Sequence, residues 1–270
     1  MKKHYLLNFV FISIIGIWLF PLFWLIVTSL QQEKDVMVSA LQLFPRHPTW
    51  YNYQKAFVST QILTWLTNSF IVSIGTTIAT IILDIPIAYA FARIKFAGRS
   101  ILFWLVMAAM MIPFQVIIIP LYMQFNSYGI LNTLAVVILP RLAMPIGVFI
   151  IKQFYEDIPY AIEEAAFIDG ANRFQIFLRI MIPLGKAAIV TTIIISFINA
   201  WNDFLWPLIA VNESIKYTIT VGIANFQGTK GTEYAMIMAG AAIASIPQFV
   251  FFGLFRKQIA AGLAATGIKG

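Results

Sequence analysis

The residues best equipped for chemistry fall in three stretches. Glu163–Pro183 reads EEAAFIDGANRFQIFLRIMIP and gathers acids and bases in a chain that is otherwise largely apolar. Asp203 stands within NAWNDFLWPLIA (Asn199–Ala210), and Asp84 stands two residues before Pro86. A carboxylate inside an apolar span is expensive unless it faces protein or water, so both aspartates are candidates for function. Around Asp203, Asn199 and Asn202 add amide donors and acceptors, while Trp201 and Trp206 add flat apolar faces. Such mixtures bind sugars, amides meeting hydroxyls and rings meeting C–H faces. The other reading pairs Asp203 with another helix and makes the tryptophans anchors. Asp84 beside a proline fits either a proton relay or a satisfied structural polar group. The sequence offers the relay no second intramembrane base with a clear pairing, since Arg141 falls near the outer end of its span.

Covalent and metal chemistry find no support. The Gly-Lys of PLGKAAIV lacks the G-x-x-x-x-G-K-[ST] spacing of a nucleotide-binding loop. His4 and His47 are the only histidines and are not spaced as metal ligands, and the absence of Cys removes disulfides, thiolate zinc sites and thiol nucleophiles. A Ser-His-Asp arrangement within lipid is not plausible. The chain reads as non-catalytic, with no metal or cofactor of its own.

What positions these residues is a membrane fold. The 270 residues are 60% hydrophobic and 11% charged, with a mean hydropathy of +0.85, whereas soluble domains carry about 25% charged residues. Lipid must be the solvent. Six apolar stretches are long enough to span, at about 8–30, 64–91, 101–122, 134–152, 187–210 and 234–255. The first follows Lys2 and Lys3 like a signal, but its length and the lack of a small-residue cleavage site read as a retained span. Most spans contain proline: Pro21, Pro86, Pro113, Pro120, Pro140, Pro145, Pro207 and Pro247 predict bent helices round a pathway, or static kinks in a structural bundle. With the N-terminus inside, Lys2, Lys3, Arg93, Lys95, Arg99, Lys152, Arg173, Arg179, Lys186, Arg256, Lys257 and Lys269 lie on the cytoplasmic side. Lys34, Arg46, Lys55, Lys216 and Lys230 lie outside. That bias sets both termini in the cytoplasm. It explains the net charge of +7 without nucleic acid, because the bases sit at helix ends. The outer segment FPRHPTWYNYQKAF suits an interfacial or short surface element. The chain reads as one membrane domain, 1–270, with a cytoplasmic loop 153–186 and a cytoplasmic tail 256–270.

The polar loop has its own local logic. Pro159 suits a helix start, and Glu163 and Glu164 follow where the helix dipole favours negative charge. Ala165 and Ala166 form helix readily and let another surface come close. Gly170 offers a left-handed stop. Beyond it Phe174, Phe177, Leu178 and Met181 recur at helical spacing up to Pro183. The expectation is helix, Gly turn, and a second helix along the membrane face. Physically this is either an interfacial hairpin or a docking site for a cytoplasmic protein.

The pattern Glu164-Ala165-Ala166, three residues, Gly170, nine residues, Ile180, one residue, Ile182, Pro183 resembles the EAA motif of the membrane subunits of bacterial ABC importers. Ile182 replaces the usual leucine. The resemblance implies an all-α integral membrane protein with the six transmembrane helices of the type I ABC importer core. It implies that Glu163, Glu164, Ala165, Ala166, Asp169, Gly170, Ile180 and Pro183 belong to a coupling helix seated in a cytoplasmic ATPase subunit. NAWNDFLWPLIA, YTITVGIANFQG (Tyr217–Gly228) and GLAATGIKG (Gly262–Gly270) are similar to the smaller permease of maltose-type carbohydrate importers. From that resemblance follow a homologous second permease, two ATP-binding subunits that hold ATP and Mg, an extracytoplasmic solute-binding protein and a sugar substrate in a bacterial cytoplasmic membrane. Asn199, Trp201, Asn202, Asp203 and Trp206 become candidate substrate-path residues. Gly262, Thr266, Gly267 and Lys269 become candidate tail contacts to the ATPase. Rival readings are a permease for another solute such as glycerol phosphate, and a secondary transporter or channel working without an ATPase.

Overall fold

The computed structural model describes the backbone of residues 2–36, 43–228 and 231–267, and the side chains of residues 7–36, 43–226 and 231–256. In chain order its helices are α1 (Lys2–Ser29), α2 (Glu33–Val36), α3 (Tyr51–Ser59), α4 (Ile62–Arg93), α5 (Arg99–Ala109), α6 (Phe114–Ser127), α7 (Leu134–Ile138), α8 (Pro145–Asp157), α9 (Tyr160–Ile168), α10 (Arg173–Ile176), α11 (Ile182–Leu184), α12 (Lys186–Trp201), α13 (Leu205–Ala210), α14 (Ile219–Ala224) and α15 (Tyr234–Gly267). A 3-10 turn, Leu139–Arg141, follows α7, and a π turn, Phe177–Met181, joins α10 to α11. Strands β1 (Gln227–Gly228) and β2 (Gly231–Thr232) pair antiparallel.

Among the described residues three helical stretches are long and apolar enough to cross a bilayer: Leu7–Ser29, Ile62–Arg93 and Tyr234–Arg256. Three bent pairs bring the number to six if each crosses as one span. Arg99–Ala109 meets Phe114–Ser127 at 92°, Leu134–Arg141 meets Pro145–Asp157 at 43°, and Arg173–Leu184 meets Lys186–Trp201 at 74°. The third apolar stretch of the sequence, about 101–122, is thus two helices at nearly a right angle. The fifth, about 187–210, stops at Asn202 and resumes as α13.

Proline accounts for part of this bending. Pro113 and Pro145 open helices after a break, and Pro140 sits in the 3-10 turn. Pro21, Pro86, Pro120 and Pro247 lie inside helices that continue through them. The breaks at Gly185 and at Asn202–Phe204 fall on other residues. A proline removes one helical donor and leaves the carbonyl four residues back without its partner. Whether the helix breaks depends on what else satisfies that carbonyl.

Contacts divide the chain into two units, one of Met1–Leu66 with Thr218–Phe249 and one of Thr67–Tyr217 with Val250–Gly270. In the first, Trp65 packs on Phe226 at 5.6 Å between ring centroids. A Cβ on Gly222 would lie 2.2 Å from the indole carbons of Trp65, so glycine lets α14 approach the ring. The Glu33 carboxylate accepts from the N–H groups of Tyr234 (2.9 Å) and Ala235 (2.8 Å), satisfying two donors at the start of α15. Phe9, Ile12, Ile17 and Trp18 of α1 remain exposed, a surface suited to lipid.

The second unit has two cores. One gathers Tyr89, Phe91, Phe103, Ile151, Tyr155, Ile176 and Met181, and the other Val72, Ile118, Phe125, Val136, Val137 and Trp206. In lipid, apolar burial against another helix gains little over burial in acyl chains. Close packing and buried hydrogen bonds must therefore hold these cores together.

Candidate functional site

α9 begins after Pro159 and ends in a left-handed glycine. Gly170 has φ +86°; its N–H bonds Phe167 O at 3.0 Å, and Ala171 N–H reaches back to Ala166 O at 2.9 Å. This is a Schellman cap, which satisfies carbonyls at the helix end. Asn172 and Gln175 then form a reciprocal capping box, side chain to backbone at 2.9 Å in both directions. The helix–Gly–helix expected from the sequence is present, but its second helix is one α turn followed by a π turn. The i→i+5 closure offsets the apolar stripe. Met181 is buried and Phe177 partly so, while Phe174 and Leu178 stay exposed.

On α9 the outer and inner pairs of the Glu-Glu-Ala-Ala run face opposite ways. Glu164, Ala165, Ile168, Asp169 and Gly170 are exposed, whereas Glu163 and Ala166 are buried. Ile180 is partly buried against the core and Pro183 is exposed. Glu163 points inward to Arg93 at the end of α4, with Oε1 3.1 Å from Nε. Tyr89, one turn earlier on α4, donates its hydroxyl to Glu163 Oε2 at 3.4 Å.

Arg93 does more than neutralise Glu163. Its Nη2 donates to the backbone carbonyls of both Tyr155 and Ile158, and its guanidinium carbon lies 4.2 Å from the centre of the Tyr160 ring. Tyr155 O cannot take a helical bond from the residue four ahead, which is Pro159 and has no N–H; it accepts the Ile158 N–H at 3.2 Å instead. The buried guanidinium adds a second donor to that carbonyl at a helix C-terminus, where positive charge is favoured. Hydrogen bonds to charged groups contribute about 1.5–3 kcal/mol each. Removing one partner of a buried ion pair costs about 3–5 kcal/mol.

The Asn199–Ala210 region divides likewise. Asn199 and Asn202 are exposed. Trp201 is buried, stacked on Phe197 at 5.8 Å and edge-on to Phe70 at 4.9 Å. Trp206 is fully buried among Phe114 and Phe125, and its indole N–H donates to Val136 O at 2.8 Å. The faces expected to meet a ligand are occupied by packing. Asp203 Oδ2 pairs with Arg141 Nε at 2.8 Å, and the Arg141 guanidinium lies 4.9 Å from the centre of the Phe114 ring. The sequence admits helix pairing for Asp203 without naming a partner, and the structure supplies Arg141. The 3-10 turn that carries Arg141 brings it there.

Asp84 is buried, and its Oδ1 accepts the N–H of Met144 at 3.1 Å, at the N-terminal edge of α8. A Cβ on Gly147 would lie 2.3 Å from Asp84 Oδ2, so glycine allows this approach. One oxygen of the acid thus serves structure, capping the helix that resumes after the break, while Oδ2 is buried with no hydrogen bond among the described residues.

Gly262, Thr266 and Gly267 lie on the backbone of α15, which stays helical to Gly267, whereas Lys269 and the side chains beyond Arg256 fall outside the described residues. The residues missed in the sequence are Arg93, read there only as a topology marker, Arg141, read there only as a base near the outer end of its span, and Glu33. For Arg93 a partial signal existed, since Pro159 withholds the helical donor of the Tyr155 carbonyl.

With this geometry in place, comparisons with known proteins converge. The family model described as "Binding-protein-dependent transport system inner membrane component" matches residues 84–263. The arabinooligosaccharides transport system permease protein AraQ of Bacillus subtilis is 33% identical over 98% of this chain and 95% of its own length. The trehalose transport system permease protein SugB of Mycobacterium tuberculosis is 33% identical over 95% of this chain and 94% of its own. A chain in the crystal structure of a bacterial ABC transporter that imports the acidic polysaccharide alginate superposes with a TM-score of 0.83 at 19% identity, covering 95% of this chain and 96% of that one. At that identity the likeness shows the fold.

Proposed function

The chain belongs to the family of binding-protein-dependent transport system inner membrane components, and from that premise we propose that it is the permease subunit of an ATP-driven ABC importer for a sugar or oligosaccharide. The exposed face of α9 carries the proposal. Glu163 and Ala166 fasten the helix from inside, leaving Glu164, Ala165, Ile168, Asp169 and Gly170 outward. Ala165 and Gly170 carry almost no side chain, so a partner can come close to the backbone there. That partner is a cytoplasmic ATPase subunit, one of two, which would hold ATP and Mg. Both termini and the loop 153–186 are cytoplasmic, and the six spans include the three bent pairs. A second, homologous permease completes the pathway, and an extracytoplasmic solute-binding protein delivers the solute. The tail around Gly262–Gly267 reaches toward the ATPase pair.

For the solute, the curated relatives that transport arabinooligosaccharides and trehalose support a carbohydrate. Asn199 and Asn202 are the exposed amides of the path, while Trp201, Trp206 and Asp203 hold its wall. Arg141 is matched by Asp203, which favours an uncharged solute over a phosphorylated one. Asp84 caps α8 through Oδ1, which favours a structural role for it over a proton relay.

Glu164→Arg tests the docking face. The variant chain is expected to insert normally, fail to co-purify with the ATPase subunit, and support no uptake. Intact association and uptake would sink the assignment.

A further inference from the structure

We propose that Arg93 is a positioning residue that welds α9 and the ends of α8 and α4 into one rigid joint, so that displacement of the α9 face moves both membrane helices together. This rests on reading Glu164–Gly170 as the ATPase-docking face. It adds a claim that reading does not contain, namely where the movement enters the membrane helices.

α9 is tied covalently to α8 through Ile158 and Pro159 alone. So short a link fixes distance but can still hinge, and a hinge there would absorb a push on α9. The Arg93 guanidinium blocks it from several directions. Its Nη2 holds the carbonyls of Tyr155 and Ile158 on the α8 side. Its Nε faces Glu163 Oε1 at 3.1 Å on the α9 side, and Tyr160 covers its flat face at 4.2 Å. Two further contacts widen the grip. Tyr89 donates to Glu163 Oε2 at 3.4 Å, and the Tyr160 hydroxyl donates to Ala92 O at 3.4 Å. α4 therefore holds α9 at points one turn apart, which resists rotation as well as translation. The Arg93 side chain is fully buried, so water does not compete for these bonds. A planar fork is needed to reach two carbonyls and a carboxylate together; the point charge of lysine has no such geometry.

The chain has no Cys, so paired spin labels can be placed without removing native thiols. Labels at Ala161→Cys on α9 and Ile82→Cys on α4, both at exposed positions, report the joint. A control pair, Val116→Cys and Leu208→Cys, reports α6 against α13. In the assembled transporter in lipid nanodiscs, the joint pair is expected to give one narrow distance. That distance should be the same in the nucleotide-free state and after trapping with ATP and vanadate. Arg93→Met should lose the single narrow distance at the joint while the control pair stays narrow. A joint pair as narrow in Arg93→Met as in the parent overturns the proposal, and so does equal broadening of the control pair, which would mark general loosening. Should Arg93→Met not assemble, Arg93→Lys is read by the same rule, broadening at the joint alone being expected. Glu164→Arg separates the two ideas. If that variant keeps its ATPase subunit, the docking reading fails whatever the labels at Ala161 and Ile82 report.

Discussion

Replacing Arg141 by alanine should damage this protein more than replacing Asp203. The two side chains meet at 2.8 Å but are unequally shielded, Arg141 being 31% exposed and Asp203 7%. At that separation the Coulomb attraction runs from about 1.5 kcal/mol in water to about 6 kcal/mol at an effective dielectric near 20. Desolvating Asp203 offsets much of it, and water reaching Arg141 screens part of the remainder. A net coupling of about 1–2 kcal/mol is what survives. Arg141→Ala leaves a shielded carboxylate without its ion partner, and should cost about 2–3 kcal/mol. Asp203→Ala leaves a guanidinium that still reaches water and Phe114, and should cost about 1 kcal/mol. Thermal unfolding of the purified chain in detergent reads both, with about 2–4 °C per kcal/mol at this size, and the double variant gives the coupling. A coupling below about 0.5 kcal/mol would refute the pairing argument. So would Asp203→Ala abolishing uptake at unchanged stability, which would place Asp203 on the solute rather than on Arg141.

Two further substitutions test the first unit. Glu33→Ala removes the acceptor for two N–H groups at the start of α15 and should cost about 1 kcal/mol, the usual value of an N-terminal cap; thermal unfolding against Glu33→Gln, which keeps one acceptor, checks it. Gly222→Ala puts a methyl 2.2 Å from the Trp65 ring, and should cost about 1–3 kcal/mol by overpacking. Trp65→Leu in the same chain should relieve part of that cost in the same melt.

What could be read in the sequence was what acts locally. Pro159, the acids after it and Gly170 act on their own backbone within a turn or two, and the structure shows α9 with its Schellman cap. Long apolar runs marked, for the same reason, the three helices that are long enough to cross a bilayer among the described residues, but not the breaks that bend the other runs. What stayed hidden joins residues far apart. Arg93 and Glu163 were each visible as charges, one assigned to topology and the other to a partner protein. Nothing in their spacing says that α4 and α9 meet. Glu33 caps a helix that begins at Tyr234, and Trp206 looked like a ligand surface because burial cannot be read from an aromatic residue beside a polar one. The apolar stripe after Asn172 misled because a π turn leaves the hydrophobic pattern unchanged while altering its phase.

One rule links two of these hidden contacts and makes them searchable in retrospect. Each proline within or just after a helix withholds a donor from the carbonyl four residues before it. In lipid or a buried core, water is not at hand to replace that donor. Pro140 does this to Val136, whose carbonyl accepts the Trp206 indole N–H at 2.8 Å. Pro159 does it to Tyr155, whose carbonyl accepts the Ile158 N–H at 3.2 Å and a further bond from Arg93. In both places a distant helix supplies a buried donor, at Val136 in place of the one the proline withholds and at Tyr155 beside a local one, so the proline that ends local order leaves room for a tertiary bond. Trp206→Phe keeps the ring and removes only the N–H. If orphaned carbonyls are what fix these helices, it should cost about 1–3 kcal/mol, the desolvation penalty of a buried acceptor left unmade. Restoring a backbone donor with Pro140→Ala in the Trp206→Phe chain should recover part of that loss in thermal unfolding. Were Pro140→Ala to give the same shift in the parent as in the Trp206→Phe chain, the two sites would be independent and the rule would not hold here.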